Sequence, residues 1–233
     1  MSATSLTSSP VIAPVAGPID FPALTRDYLA AQLAGDRRAA LRLLVDEGLG
    51  RGADVMDLLV EVIRTAQLEI GRLWQANRIS IAQEHLATGV TQVVMARLFE
   101  LAPPAPRNGA RVIVACVEGE QHDLPARLVA DYLDHAGFTV GYLGANVPTD
   151  DLVRMIINNP PAVLALSTTM SFHIGALREA VRRVRDARPG LPIVAGGHAF
   201  TWSPGLAEEL GIETAPPTPA ELIAAVRRLA GLA

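Results

Sequence analysis

RVIVACVEGEQHDLPARLVADYL, residues 111–133, is the stretch that decides the fold of the second half of this 233-residue chain. Its first seven residues, RVIVACV, are almost all apolar, as in a strand that is buried on both faces of a sheet. The amphipathic pattern that follows predicts a helix. Between the two lies a loop that carries Glu120 and His122. In open parallel sheets ligands bind beyond the carboxyl ends of the strands, so we expect this loop to be functional.

The same alternation continues to the end of the chain. Apolar runs predict strands at 111–117, 138–143, 162–167 and 192–195, with a short fifth strand near Ile212. Helical patterns separate or follow them near 125–136, 149–158, 173–187, 204–210 and 218–231. Alternating strands and helices are typical of βαβ units. Residues 111–233 are therefore predicted to form a flavodoxin-like (Rossmann-type) α/β domain with a five-stranded parallel sheet.

The first half of the chain shows only helical periodicity. Four helical segments are predicted at 22–34, 36–48, 53–76 and 80–101. Ser80 and Gln83 have the spacing of a capping box at the start of the fourth segment. Four helices with short connections favour an antiparallel bundle, which we place at residues 21–102. Residues 1–20 are predicted to be a flexible tail, and the Pro- and Gly-rich residues 103–110 a linker.

The composition excludes several functions. All 20 basic residues are arginine and the formal net charge is −4. Schiff-base enzymes and P-loop phosphate binders need a lysine, so both are excluded. Without a basic cluster, direct nucleic-acid binding is not expected. The single cysteine, Cys116, lies in an apolar run and is expected to be a buried structural thiol. No signal sequence or membrane-spanning run is found, which predicts a cytoplasmic protein without a membrane partner.

Three motifs in the second half of the chain are separated by defined numbers of residues. Glu120-Gln121-His122-Asp123-Leu124-Pro125 is followed by 41 residues (126–166), then Ser167-Thr168-Thr169, then 26 residues (170–195), then Gly196-Gly197. This pattern resembles the cobalamin-binding domain of methionine synthase, corrinoid proteins and B12-dependent mutases. GYLGANVP, residues 141–148, is also similar to that family. The chain departs from the family pattern at Pro125, where the family has glycine, and at Thr169, where it has leucine.

The resemblance implies a cobalamin site in the α/β domain. His122 would be the lower cobalt ligand in place of the cofactor's own dimethylbenzimidazole, and Glu120 would hold its other ring nitrogen. The slot for the displaced nucleotide tail would be lined at Ser167 and at the Gly-Gly pair. The implied cofactor-binding residues of this domain are Glu120, His122, Asp123, Leu124, Ser167, Thr169, Gly196, Gly197 and His198. Another histidine, His173, begins a helix and is expected to cap it.

The bundle carries a second pattern. Trp74 is followed by nine residues and then by Glu84-His85. This resembles the helical cap of the cobalamin-dependent photoreceptors related to MerR-type repressors of carotenoid synthesis. The resemblance implies that Trp74 packs against the 5′-deoxyadenosyl group, that Glu84 contacts its ribose or adenine, and that His85 binds cobalt after light. Structural roles for these three residues stay open: a core tryptophan, a carboxylate at a helix N-terminus, and a hydrogen-bonding histidine.

Together these resemblances predict a non-enzymatic, cobalamin-binding light sensor. It would hold adenosylcobalamin base-off/His-on between the bundle and the α/β domain and change conformation when light breaks the cobalt–carbon bond. The residues before the bundle are too few for a winged helix domain, so a partner transcription regulator, or self-association, is expected to carry the signal. The alternative is a corrinoid protein that carries methyl groups for a cobalamin-dependent methyltransferase. Methylcobalamin or hydroxocobalamin are then alternatives to adenosylcobalamin.

Overall fold

The computed structural model describes residues 18–103 and 105–232, so most of the tail predicted at 1–20 lies outside the described residues. The chain divides into two compact units, Met1–Ala102 and Pro103–Ala233. Each unit has its own hydrophobic core. Within the described residues, no helix combines the length and apolar character needed to cross a membrane.

The described part of the first unit folds into four helical rods, which confirms the predicted bundle. The rods are α1 (Phe21–Ala34); α2 (Arg37–Leu41) with the π-helical segment Arg42–Gly48 and a 3₁₀ turn, Leu49–Arg51; α3 (Val55–Asp57), the π-helical segment Leu58–Arg64 and α4 (Thr65–Gln75); and α5 (Ile81–Leu101). The rods begin and end close to the predicted bounds. The apolar pattern does not predict the two π-helical segments. A wide turn within a helix leaves the apolar residues on the same buried face, so the spacing of these residues does not reveal it.

Side-chain caps fix where the rods begin. The carboxylates of Asp20 and Asp36 accept hydrogen bonds from the backbone three residues ahead. The predicted capping box is present: Ser80 Oγ accepts from the backbone amide of Gln83, and Gln83 Oε1 accepts from the backbone amide of Ser80. These caps satisfy amide groups that a helix start leaves unpaired.

The second unit is a parallel sheet with helices between its strands, which confirms the predicted α/β class. Its strands are β1 (Arg111–Cys116), β2 (Thr139–Gly144), β3 (Val163–Ser167), β4 (Ile193–Gly196) and β5 (Glu213–Thr214), in the order β2-β1-β3-β4-β5. Its helices are α6 (Leu124–His135), α7 (Thr149–Asn158), α8 (Ile174–Ala187), α9 (Ala199–Trp202), α10 (Leu206–Leu210) and α11 (Pro219–Leu229). The short helix α9 and the 3₁₀ turn Ser171–His173 are not predicted by the sequence pattern.

The register of the sheet brings three loops together. Cys116 of β1 pairs with Ser167 of β3, and Ser167 pairs with Gly196 of β4. These residues are the last of their strands, so β1, β3 and β4 all end at one level. The loops that follow them lie side by side at the carboxyl edge of the sheet, where ligands bind in such folds.

A close backbone approach joins the loops after β3 and β4. Thr168 donates its amide hydrogen to Gly196 O at 2.9 Å, and Ala199 donates to Thr168 O at 3.2 Å. Gly197 has φ 113°, and a Cβ placed on it would lie 2.2 Å from Thr168 O. The chain itself therefore requires glycine at this position, whatever binds there.

We predict that Gly197→Ala destabilises the α/β unit by at least about 2 kcal/mol, because it adds both a steric clash and a strained backbone conformation. Gly205→Ala is the matched control, since Gly205 also has positive φ but has nothing within 4 Å of its would-be Cβ. Thermal and urea unfolding of the two variants measure the difference. Equal losses of stability in both would show that the close approach to Thr168 costs nothing.

Candidate functional site

A buried carboxylate, that of Glu120, organises the loop after β1. The Glu120 side chain has no solvent exposure. Its Oε1 accepts hydrogen bonds from the His122 amide at 3.0 Å and from His122 Nδ1 at 2.5 Å. Its Oε2 accepts from the amides of Thr169 and Met170, at 2.8 and 2.9 Å, and from His173 Nδ1 at 3.1 Å. The predicted neighbours Glu120 and His122 thus meet, and the loop after β3 joins them.

These bonds decide the protonation of the site. Burial disfavours the charge on Glu120, but hydrogen bonds from His122, Met170 and His173 outweigh burial and hold its pKa well below the usual range. An ionised carboxylate can only accept, so the Nδ1 atoms of His122 and His173 carry the protons. In a neutral imidazole with its proton on Nδ1, the lone pair lies on Nε2. His122 is 44% exposed, so its ring reaches the surface of the unit.

The connection between β2 and α7 holds the other side of this loop. Asn146 donates its amide hydrogen to Glu120 O at 2.8 Å, and its side-chain oxygen accepts from the Gly119 amide at 2.7 Å. Asn146 has φ 48°, a conformation that asparagine tolerates better than most residues. Sequence reasoning noticed the surrounding GYLGANVP motif but missed this residue.

Asp123 and Leu124 begin helix α6. Asp123 occupies the N-cap position, but its carboxylate makes no cap bond and instead accepts from the Tyr142 hydroxyl at 3.0 Å. Burial, and then the charge of Asp123, raise the pKa of Tyr142 above its usual range, so the hydroxyl stays protonated. Leu124 is buried, and Pro125 lies in the first helical turn, where it costs no hydrogen bond.

The last residues of β1 and β3, beneath the loop, are buried. Cys116 is buried, as expected, and its Sγ lies 3.7 Å from His122 O. Ser167 is also buried and hydrogen-bonds Cys116. Burial raises the pKa of the Cys116 thiol to about 12, which makes it an inert group.

The loops after β3 and β4 carry the remaining predicted residues. The hydroxyl oxygens of Thr168 and Thr169 are buried, and neither has a hydrogen-bond partner within the described part of the chain. His198 is exposed, with its ring edge-on to Trp202 at 5.4 Å between centroids. The expectation that His173 caps its helix is wrong: it stands at the N-cap of α8, but its side chain makes no cap bond and turns to Glu120.

The bundle residues form a separate group within their own unit. Trp74 lies half-buried in the last turn of α4. Glu84 and His85 lie in the first turn of α5, where His85 Nδ1 is 2.5 Å from Glu84 Oε2. The other oxygen, Oε1, accepts from the Thr88 hydroxyl at 2.9 Å. His85 is 73% exposed and Glu84 only 23%, so the carboxylate is fixed while the imidazole remains accessible.

The donor set fits a corrinoid better than a bare metal ion. In residues 18–103 and 105–232, no group of three or more His, Cys, Asp or Glu side chains could hold a metal. A corrin already gives cobalt four nitrogens, so the protein need supply only an axial ligand, and imidazole is a good one. The buried, unpaired hydroxyls of Thr168 and Thr169 could bond polar groups of such a cofactor.

Comparison with known families identifies the chain. Residues 110–223 match a family model described as a B12 binding domain, and residues 24–99 match a second model with the same description. The chain belongs to the B12-binding proteins. Its resemblance to the cobalamin-binding family, predicted from the spacing of three motifs, is confirmed.

Relatives of this B12-binding protein include proteins of two kinds. The HTH-type transcriptional repressor CarH of Myxococcus xanthus is 34% identical over 154 residues, which cover 65% of this chain and 50% of the repressor. Dimethylamine corrinoid protein 1 of Methanosarcina acetivorans is 20% identical over 214 residues, which cover 88% of this chain and 99% of that protein. The chain thus spans half the length of the repressor and nearly all of the corrinoid protein.

A solved structure shares the fold. The Methanosarcina barkeri monomethylamine corrinoid protein aligns with a TM-score of 0.79 at 19% identity, covering 89% of this chain and 99% of its own. At this level of identity, the likeness shows a common architecture and does not assign a function.

Helix α6, which starts at the site loop, buries a carboxylate with a titration that can be tested. Asp131 is 6% exposed, Arg127 Nε lies 3.6 Å from its Oδ1, and burial raises its pKa from 3.8 to about 6. Because the pKa of Asp131 is higher in the folded state than in the unfolded state, the contribution of Asp131 to stability is fully present below about pH 4. This contribution is lost as the pH rises from about 4 through about 6. We predict that Asp131→Asn is about 2–3 kcal/mol more stable than the wild type at pH 8 and equally stable near pH 4.

Urea unfolding at a series of pH values measures this difference. Asp27→Asn, at an exposed position of α1, is the control for removal of a surface charge. Parallel stability curves for Asp131→Asn and the wild type between pH 4 and pH 8 would contradict the prediction.

Proposed function

We propose that this chain is a light sensor that binds adenosylcobalamin and regulates transcription through a partner, without catalysing a reaction. The observation that carries the proposal is the Glu84–His85 pair at the start of α5, with Trp74 at the end of α4. The 34% identity to a transcriptional repressor supports the regulatory part. The proposal does not depend on catalysis by any side chain.

In the α/β unit, His122 is the lower cobalt ligand in this proposal. Glu120 fixes the tautomer that offers Nε2 and raises the basicity of the ring, as carboxylates do behind metal-bound histidines. Because Glu120 is itself held by amides of the loop after β3, the imidazole is oriented before any ligand arrives. Thr168 and Thr169 offer their unpaired hydroxyls to the nucleotide tail, beside Gly196, Gly197 and His198.

In the bundle, three residues would contact the upper ligand of cobalt or replace it. Adenosylcobalamin supplies a cobalt–carbon bond that visible light breaks. Trp74 offers a flat apolar face to the adenosyl group, and Glu84 offers carboxylate oxygens to its ribose or adenine. After illumination, His85 would give up its hydrogen bond to Glu84 and offer a ring nitrogen to the cobalt. The change of partner by His85 is the local event that would move the bundle.

The output would pass to another protein. A net charge of −4 does not favour direct contact of this chain with DNA. A transcription regulator on a separate chain, or a change of self-association on illumination, would then carry the signal.

The second candidate function is that of a methyl-carrying corrinoid protein. It is favoured by the alignment with dimethylamine corrinoid protein 1, which extends over 99% of that protein. A methyl carrier must expose the upper face of its corrinoid repeatedly, and a second histidine ligand would hinder that. The form of cobalamin that copurifies, methyl or adenosyl, distinguishes the two functions.

We predict that His122→Ala abolishes the base-off/His-on absorption spectrum and weakens cobalamin binding at least about tenfold. His135→Ala, which removes a half-buried histidine from the last turn of α6, is the matched control and should bind like the wild type. Equilibrium binding followed by absorption checks both. Unchanged affinity and spectrum in His122→Ala would refute cobalamin ligation by this residue.

We predict that green light converts the adenosylcobalamin-loaded wild type to a spectrum with two axial histidines, whereas His85→Ala stops at one. The reason is that the first turn of α5 offers no other imidazole. Spectra before and after illumination, with free cofactor in the same light as the reference, measure the conversion. A wild type that changes no faster than the free cofactor, or a His85→Ala variant with the wild-type end spectrum, would rule the sensor out.

A further inference from the structure

Three side chains with polar atoms lie in the core of the bundle. Within residues 18–103, the side chains of Tyr28, Gln32 and Thr91 are buried without solvent exposure. Tyr28 and Gln32 are one turn apart on α1, and Thr91 contacts both of them from α5. We refer to these three residues as the polar cluster. The proposed contacts to cobalamin use none of them.

The hydroxyl of Thr91 is the centre of the polar cluster. It donates to Ala87 O at 3.2 Å, accepts from Gln32 Nε2 at 2.6 Å, and lies 3.1 Å from the Tyr28 hydroxyl. A hydroxyl has one donor and two acceptor sites, so Thr91 uses all three sites when Tyr28 donates. Gln32 Nε2 also donates to Gln67 Oε1, on α4, at 3.5 Å. The polar cluster therefore links α1 to both α4 and α5.

Stability alone does not explain the polar cluster. Gln32 Oε1 is buried and has no hydrogen-bond partner within the described part of the chain. A buried polar atom without a partner destabilises the folded state, whereas apolar groups of the same shape would not. Between packed helices, however, a buried polar contact forms in one alignment of the helices and so selects that alignment. A cluster of this kind acts on helix register more than on stability.

The spacing along α4 and α5 connects the polar cluster to the residues proposed for the upper ligand. Thr91 follows Glu84 by seven residues, and Trp74 follows Gln67 by seven residues. Seven residues are two helical turns, or about 10 Å, and bring both members of each pair to one face of their helix. A shift of α5 by a single residue would rotate Glu84 by about 100° around the helix axis. The alignment that pairs Thr91 with α1 therefore also determines the direction of Glu84.

We propose that the polar cluster is a positioning element, which fixes the register of α5 against α1 and α4 and thereby the places of Glu84 and Trp74. The inference rests on the proposed function, in which Glu84 and Trp74 contact the adenosyl group. Without the polar cluster the bundle still folds around its apolar core, but α5 is no longer restricted to one register. Selectivity for adenosylcobalamin over methylcobalamin then falls, because a methyl group is too small to contact these two side chains.

The experiment compares the wild type with a triple variant that combines Tyr28→Phe, Gln32→Met and Thr91→Val. These changes keep the size of the side chains and remove their hydrogen bonds. Every protein also carries Trp202→Phe, so that the fluorescence of the cobalamin-free chain comes from Trp74 alone. We expect the triple variant to unfold at the same urea concentration as the wild type, or at a higher one. Its Trp74 emission should shift, and its preference for adenosylcobalamin over methylcobalamin should fall at least about fivefold.

Two further variants separate register from a general loss of stability. Thr91→Ser keeps the hydroxyl and should retain the emission and the preference of the wild type. Val94→Ala removes buried apolar atoms one turn further along α5, so it should unfold more easily and keep the wild-type preference. If the triple variant does not fold, the comparison of Thr91→Val with Thr91→Ser decides in its place.

The outcomes distinguish this inference from the proposed function. Wild-type emission and wild-type preference in the triple variant would overturn the positioning role, as would an equal loss of preference in Val94→Ala. A wild type that binds adenosylcobalamin and methylcobalamin equally would instead refute the proposed function. The emission of Trp74 in the cobalamin-free chain would in that case still decide whether the polar cluster fixes the register.

Discussion

The ionised carboxylate of Glu120, buried without solvent exposure, is the constraint on which the site depends. Removing a charge from water costs several kcal/mol, and the fold must offset that cost with hydrogen bonds. Here the donors come from His122 in its own loop and from the loop after β3. Because β3 is the neighbour of β1 in the sheet, the two loops meet only when the sheet has formed. Folding and site assembly are thus one event.

The same constraint makes the site rigid. Asn146 ties the β1 loop from the side of β2, and Gly197 allows the loop after β4 to pack on Thr168. Each loop is fixed by its neighbour, so His122 has its orientation before a cofactor binds. A protein side chain that is already oriented loses little conformational entropy when a cofactor binds, and this favours affinity.

Both kinds of relative are similar to this chain, and the match to a B12 binding domain does not choose between their functions. Both proposed functions would use the same lower ligand, His122. They differ in what the upper face must do, and the residues proposed to act there belong to the bundle. The close pair of Glu84 and His85 suits a ligand exchange that a carrier would avoid.

Apolar periodicity, caps and motif spacing in the sequence determined the four helical rods, the five parallel strands and the cobalamin-binding class. The caps are local signals, since a capping box spans one turn, and the class was recognised from the separations of three motifs along the chain. Only the tertiary structure showed that His173 turns from its helix to Glu120, 53 residues earlier in the chain, and that Asn146 clamps the loop. Such contacts follow from the strand order β2-β1-β3-β4-β5, which the alternation of strands and helices does not specify. The sequence therefore shows the carboxylate of Glu120. Which groups donate hydrogen bonds to this carboxylate depends on how loops that are distant in sequence pack together.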